Sequence, residues 1–252
     1  MPQGRKASSG AASAATSLAK PKADGAAVDK AFEALKTYDY GASRASLIPI
    51  DDAVVACLGD AGAQRVLERK LAEVLKTDVS RVAGEYVCRK LILIGSAQSV
   101  PVLAALLADE DLSHWARSTL EHIPGPEAVR ALRESLPRLS GLQKTGVVIS
   151  LGMRRDGKSV SALATLLKDA NTQIAGAAAT ALGNIGTAEA AKVLLKSQPN
   201  APDACLACAE RLASMGKKTV ALAIYEALAR SAQPEHVRLA ARRGISMVVG
   251  KK

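Results

Sequence analysis

The sequence predicts an all-helical fold, a right-handed α-solenoid of about six to seven helix pairs. Composition is the first reason. Apolar residues make up 48% of the 252 residues while aromatic residues make up only 2%, and the Ala and Leu that dominate the apolar fraction are strong helix formers. Internal repetition is the second reason, because the chain repeats with a period of about 31 residues, within the range of helical repeat proteins.

Each repeat has a leucine or isoleucine near the end of its predicted first helix. We call these the anchor residues: Leu58, Leu91, Leu120, Leu151, Leu182, Leu212 and Ile245. A small apolar residue stands four positions before every anchor residue, which places both on one helical face. Four positions after the anchor, most repeats carry Gly or Pro, as in Gly62, Gly95 and Gly186. These residue types indicate that the first helix ends there.

A second apolar stripe follows each predicted helix end. Val100, Leu103 and Leu107 show its spacing of three and four residues, which is typical of one face of a helix. Each repeat is therefore predicted to hold a first helix, a turn and a second helix. Because one such pair cannot bury its apolar face alone, neighbouring pairs are expected to share a continuous core.

The sequence predicts two regions, a short N-terminal tail and the stack of repeats. Residues 1–27 are rich in Ala, Ser, Gly and Lys, a composition that favours a disordered basic tail. Residues 28–252 are predicted to form the solenoid. It would begin with a capping helix, because Val28, Ala31, Phe32 and Leu35 fall on one helical face.

The most regular repeat carries a family resemblance. Residues 181–195 read Ala-Leu-Gly-Asn-Ile-Gly and then Ala-Lys-Val-Leu-Leu, which resembles bacterial HEAT repeats of the phycobilisome-lyase-like kind. Residues 88–95 and 112–125 look similar to HEAT-repeat domain proteins of planctomycetes and Verrucomicrobia. The resemblance implies a scaffold fold whose second helices line a concave surface, and it does not specify an activity.

Residues that often carry chemistry favour structural interpretations. None of His114, His122 and His236 is followed by Glu, unlike the His-Glu pairs of iron-binding HEAT-like enzymes. Cys205 and Cys208 form a CxxC motif, and Cys205 is predicted in the first turn of a helix, where a thiol pKa falls. A second CxxC for zinc is missing, so we interpret both as core residues and leave redox or metal use open. We predict no enzyme activity, cofactor or metal.

Basic residues recur on or near the predicted second helices and suggest a binding surface. With the single Trp of the sequence, the candidate residues are Arg65, Arg69, Arg130, Arg133, Arg154, Arg155, Lys158, Lys192, Lys217, Lys218 and Trp115. The net charge of +10 favours anionic partners. Two interpretations stay open here, an anion-binding stripe and a solvated face of mixed charge.

We therefore predict a non-enzymatic scaffold or assembly module that binds a protein partner of unspecified identity and oligomeric state. One alternative is binding of nucleic acid or another polyanion through a basic concave stripe and tail. Another is a lyase-like or chaperone activity on a bound protein or chromophore. The longest apolar run, residues 100–108, is too short to insert into a bilayer. The N-terminus shows no secretory signal, which favours the cytoplasm; a periplasmic location is left open for a trimmed N-terminus.

Overall fold

The computed structural model describes residues 24–197 and 201–250. Within those ranges the chain forms fourteen α-helices and no β-strand, which confirms the all-helical prediction. Helix α1 spans Gly25–Lys36. The first helices of the repeats are α2 (Ile48–Cys57), α4 (Arg81–Ile94), α6 (Ser113–His122), α8 (Gly141–Met153), α10 (Thr172–Ile185), α12 (Pro202–Ser214) and α14 (Glu235–Val249). The second helices are α3 (Ala61–Val74), α5 (Val100–Ala105), α7 (Pro126–Ser135), α9 (Val160–Leu166), α11 (Ala188–Lys196) and α13 (Lys218–Arg230).

The helices form two layers of a stack. Every first helix contacts the first helix of the next repeat, from α2 to α14, and the second helices pack in the same way from α5 to α7 and from α9 through α11 to α13. A single cluster of buried apolar side chains runs from α1 to α14. The molecule is therefore a solenoid whose repeats share one elongated core. The right-handed superhelix stays a prediction.

The repeat pattern read from the sequence marks the core of this stack. The residue four positions before the anchor is buried in all seven repeats; these residues are Val54, Val87, Ala116, Val147, Ala178, Cys208 and Ala241. The anchor residues from Leu91 to Leu212 are buried as well. Ile245, the anchor of the last repeat, is half-buried on α14. The predicted periodicity thus identifies the inward face of every first helix.

The anchor predicted for the first repeat is wrong. Helix α2 ends at Cys57, and Leu58 is 40% exposed. The chain turns at Gly59, which has a φ of +86°, a conformation that glycine adopts without steric cost. Cys57 takes the buried place instead. Gly62, predicted to stop the helix, lies in the first turn of α3.

Two glycines let the first helices of the C-terminal half approach closely. A Cβ atom on Gly152 of α8 would lie 2.7 Å from the Cα of Ala181, and one on Gly183 of α10 would lie 2.8 Å from the carbonyl oxygen of Ala204. Glycine within a helix costs roughly 0.5–1 kcal/mol relative to alanine. Here a larger residue would push α8, α10 and α12 apart.

The N-terminal helix begins three residues before the boundary predicted from the sequence. Helix α1 starts at Gly25, and the Asp24 side chain caps it by accepting a hydrogen bond from the backbone N–H of Ala26. Its four apolar residues from Val28 to Leu35 are buried, and the helix packs on α2. The predicted disordered tail falls mostly on residues 1–23, outside the described residues. None of the helices that the structure describes is long and apolar enough to cross a membrane.

Candidate functional site

Seven of the basic residues predicted as a binding surface are exposed beside or on second helices. We call them the second-helix basic set: Arg65, Arg69, Arg130, Lys158, Lys192, Lys217 and Lys218. They are spread over α3, α7, α11, α13 and the turn before α9. Acidic residues are exposed on the same helices, among them Glu134 and Glu189. This surface is therefore basic but interrupted by negative charge.

Arg133 is engaged within the protein. Its Nε atom donates to Oδ2 of Asp156 at 2.9 Å, and the Asp156 side chain is 8% exposed. The Ser159 hydroxyl donates to the same carboxylate oxygen. Because this ion pair joins α7 to the turn of the next repeat, Arg133 serves to hold neighbouring repeats together. The sequence did not show this partner, which lies 23 residues away.

Arg154 is also engaged within the protein. Its guanidinium donates to the carbonyl oxygens of Glu121, Ile123 and Gly125, at 3.0, 2.5 and 2.7 Å. Glu121 and Ile123 lie at the C-terminal end of α6, where helical carbonyl groups lack partners within the helix, and Gly125 is the N-cap residue of α7. Arg154 therefore joins its own turn to the turn between the helices of the preceding repeat, and its guanidinium is engaged there.

Arg155 differs from its neighbour because it is exposed. Its φ of +54° makes it the sole non-glycine residue with positive φ in the described ranges. The equivalent positions in the next two repeats are Gly186 and Gly216, with φ of +60° and +75°. The turn after α8 thus has the same left-handed backbone geometry as the equivalent turns of the next two repeats, although it carries an arginine where they carry glycine.

Trp115 lies half-buried on α6. The guanidinium of Arg89 stacks 4.7 Å from the centre of its ring, and the His114 ring meets it edge-on at 5.1 Å. Arg89 also pairs with Glu85 at 2.6 Å. The contact with Arg89 joins α4 to α6, so the ring takes part in packing between two repeats.

Sequence reasoning missed a buried carboxylate between repeats. Glu68 of α3 is 1% exposed. Its Oε1 atom accepts hydrogen bonds from the backbone N–H of Ser96 at 2.7 Å and from the Ser99 hydroxyl at 2.7 Å. Both partners belong to the turn that leads into α5. A single Glu on a predicted helix carries no signal of this role, because its partners lie about one repeat further along the chain.

The thiols are poorly suited to redox chemistry in this fold. All four cysteines are buried, and none of them forms a disulfide. Burial raises the pKa of Cys205 to about 11, and burial together with the neighbouring Cys205 raises the pKa of Cys208 to about 12. The protonated thiol is a weak nucleophile and a weak metal ligand, so burial outweighs the position of Cys205 near a helix start. In the two described ranges, no group of three or more His, Cys, Asp or Glu residues could hold a metal ion.

Two adjoining hollows open on the first-helix side of the C-terminal repeats, and the sequence analysis did not anticipate them. The larger, about 480 Å³, lies between α8, α10 and α12 and is lined by Arg155 and Arg211. The other, about 430 Å³, lies between α12, α13 and α14 and is lined by Met247. Glu210 and Ser214 line both hollows. We call the two together the first-helix groove.

Comparison with known proteins matches one segment of this stack to a repeat family. Residues 144–204 match the family model of HEAT repeats. This segment is therefore similar to HEAT repeats. The matched segment begins in α8 and ends in α12, so it contains most of the larger hollow. No protein with a curated description matches the chain.

One solved structure resembles the chain over most of its length. It is the crystal structure of an engineered protein, 18% identical in sequence, with a TM-score of 0.41. The alignment covers 88% of this chain and 96% of the engineered protein.

Proposed function

We propose that this HEAT-repeat protein is a non-enzymatic scaffold that binds a protein partner through an exposed helical face. The observation that carries the proposal is a position on the first helices that holds an exposed apolar side chain in three repeats. Leu93, Met153 and Met247 occupy this position, two residues after the anchor, and are 60%, 62% and 65% exposed. The repeats between them carry polar residues there, so this face offers separate apolar contact points to a partner along the stack.

The distribution of polar groups supports the same proposal. Glu68, Arg133 and Arg154 are occupied in joining one repeat to the next. An enzyme site needs polar groups that converge on a space open to substrate. In this chain those groups instead converge on junctions between repeats, which leaves the outer helix surfaces for recognition.

A second candidate function is binding of a polyanion by the second-helix basic set. Arg65, Arg69, Arg130 and Lys192 are exposed on three second helices, and none of the four forms an ion pair within the described ranges. Cations without internal partners are available to phosphate or sulfate groups. Of the predicted binding residues, we retain the second-helix basic set for the polyanion candidate and omit Arg133 and Arg154, which are engaged within the protein.

Site-specific photocrosslinking in cells of the source organism tests the scaffold proposal. A photoreactive amino acid replaces Met153 on the first-helix side or Arg69 on the second-helix side. We expect discrete protein adducts from Met153. The captured partner, once purified, should bind the Met153→Glu/Met247→Glu variant at least tenfold more weakly. Val66→Glu is the matched control, because Val66 is also an exposed apolar residue but lies on α3. No protein adduct at either position would contradict the scaffold proposal.

Heparin chromatography tests the polyanion candidate. Retention should weaken steeply as the salt concentration rises, because each contact with the polyanion releases a counterion and thereby makes binding more dependent on salt. Charge reversal by Arg130→Glu and Lys158→Glu should shorten retention well beyond the shift produced by two reversals on the first-helix side, at the exposed Arg81 and Arg242. Equal shifts would indicate that only net charge matters and would remove the second-helix basic set as a binding site.

A further inference from the structure

We propose that the first-helix groove binds a short acidic and apolar segment of a partner protein. In this arrangement Arg211 and Arg155 receive a carboxylate in the larger hollow, and Met247 and its neighbours receive apolar side chains in the other. The inference rests on the proposed scaffold function, and it specifies where a partner docks and by what chemistry.

The shape of the groove fits a peptide. The two hollows share the Glu210 and Ser214 side of α12, so together they form one depression that crosses the first helices from α8 to α14. Their volumes, about 480 and 430 Å³, each lie in the range of small binding pockets. Each hollow can therefore hold one or two side chains of an extended or helical segment.

The charges of the groove favour an acidic occupant. Arg155, Arg211 and Arg243 line it, and within the described ranges none of these three pairs with a carboxylate. Glu210 is the single acidic residue among the described lining residues. The excess of positive charge is a local feature of the groove, and it complements Asp or Glu side chains on a partner.

Arg211 is held in place but not fully satisfied. Its Cγ and Cδ atoms lie 2.7 Å from the position that a Cβ atom on Gly186 would occupy, so the absence of a side chain at Gly186 makes room for the Arg211 stem. The Nε atom of Arg211 is enclosed and has no hydrogen-bond partner. Arg211 lines the larger hollow, and its enclosed Nε keeps the base of the guanidinium in place. Because arginine binds carboxylates through parallel hydrogen bonds from its planar guanidinium, a carboxylate that enters the hollow would be held there.

The second hollow supplies the apolar half of the site. Met247 is exposed at its edge, and Tyr225 and Val248 are buried within it. Gly244 carries no side chain, and a Cβ atom there would lie 2.4 Å from Cε1 of Tyr225, so the ring packs directly on the α14 backbone. Methionine adapts to ligands of different shape, which suits an edge that closes over a leucine or phenylalanine.

A peptide explains this combination better than a nucleic acid. A phosphate backbone is recognised by repeated cations along its path, whereas Glu210 places a negative charge where the two hollows meet. The second hollow carries Lys218 and Arg243, but most of its other lining residues are apolar side chains or glycine. A basic hollow beside a mainly apolar one matches a segment that combines acidic and apolar side chains.

A selection from a random twelve-residue peptide display library tests the inference with the intact protein. We expect enriched peptides to combine Asp or Glu with Leu, Ile, Phe or Met. Synthetic copies should bind Arg211→Met at least tenfold more weakly than the unchanged protein. Methionine retains an apolar stem over Gly186, and Arg155→Gln offers a second variant in case the first folds poorly. Arg242→Met is the matched control, because Arg242 is exposed on α14 outside the groove lining.

The outcomes separate the groove from the scaffold proposal. Enriched peptides that lack acidic residues, or that bind both groove variants as tightly as the unchanged protein, would overturn the inference and leave the scaffold proposal in place. Displacement of the peptides by single-stranded oligothymidine at equal charge concentration would overturn it in favour of nucleic acid. Absence of any enriched peptide would overturn the groove inference, and failure of photocrosslinking at Met153 and Arg69 would in addition contradict the scaffold proposal.

Discussion

The guanidinium of Arg154 donates to the carbonyl oxygen of Ile123, the residue that follows the last turn of α6, at 2.5 Å. The cation also lies against the partial negative charge of that helix end. One side chain therefore joins the turn of its own repeat to the first helix of the repeat before it. The contact identifies Arg154 as part of the stack, and it makes the stability of the stack the first property to test.

We expect Arg154→Ala to lower the free energy of unfolding by about 1–3 kcal/mol, because the carbonyls of Glu121, Ile123 and Gly125 lose a charged donor. Urea denaturation monitored by circular dichroism measures the change. Lys158→Ala is the control, since Lys158 is an exposed residue four positions away and should change stability by less than about 0.5 kcal/mol. Equal effects of the two substitutions would contradict the capping role.

Replacement of Glu68 tests the buried junction between α3 and the turn before α5. Glu68→Ala removes the acceptor for the Ser96 N–H and the Ser99 hydroxyl, and an orphaned buried donor costs about 1–3 kcal/mol. We expect a loss of that size in thermal or urea unfolding. Glu73→Ala on the same helix removes an exposed carboxylate paired with Lys76 and should cost less than about 1 kcal/mol. A small effect at Glu68 would mean that water replaces the carboxylate.

The positive φ of Arg155 predicts a stabilising substitution. Arg155→Gly should raise the free energy of unfolding by up to about 1 kcal/mol, because a side chain costs roughly 1–2 kcal/mol in the left-handed region and glycine returns part of this as chain entropy. Gly186→Ala should lower the free energy of unfolding, because an alanine would adopt the positive φ at a cost and its Cβ would lie 2.7 Å from Cδ of Arg211. Differential scanning calorimetry measures both, and a loss of stability in Arg155→Gly would show that the turn is not strained.

The corrected anchor pattern predicts different costs for two leucines at equivalent sequence positions. Leu182 is fully buried and Leu58 is 40% exposed. Leu182→Ala should therefore cost about 2–5 kcal/mol, as for other buried leucines, while Leu58→Ala should cost less than about 1 kcal/mol. Chemical denaturation of both variants provides the comparison. Similar losses would mean that α2 ends later than Cys57.

Burial of the thiols predicts both their reactivity and a dependence on pH. At pH 8 the four buried cysteines should react slowly with Ellman's reagent in the folded protein and rapidly in denaturant. Burial raises the pKa of Cys205 to about 11 and of Cys88 to about 12. The folded state therefore favours the protonated thiols. Their contribution to the free energy of unfolding is complete below pH 9 and is lost as the pH rises towards 11–12. Fast reaction of a folded thiol at pH 8, or constant stability across that range, would contradict the burial.

Some site residues could be placed from the sequence and others could not. The exposure of Arg65, Arg130 and Lys192 follows from their positions between the apolar residues of an amphipathic helix. The engagement of Arg133 with Asp156 does not, because their distance depends on how two repeats stack. Arg154 was identified as unusual, since it replaces an apolar residue of the pattern, but the carbonyls that it contacts lie 29 to 33 residues earlier.

The first-helix groove shows the same division on a larger scale. Its residues come from three repeats, and no local pattern sets Arg211 beside Arg155. Arg211 lies one position before an anchor residue, where other repeats carry Ser150 or Ala181. The sequence therefore showed that this position varies, but not that the stem of the arginine would cross the Gly186 turn.

By itself the sequence determined the all-helical fold, the helix-turn-helix unit and the inward face of most first helices, because these follow from side-chain periodicity along one helix. Tertiary structure alone decided where α2 ends, which charged groups join the repeats, and that a groove opens on the first-helix side. Those features depend on distances between repeats, and such distances are set by the packing of whole helices, as at Gly152 and Gly183, where backbones meet.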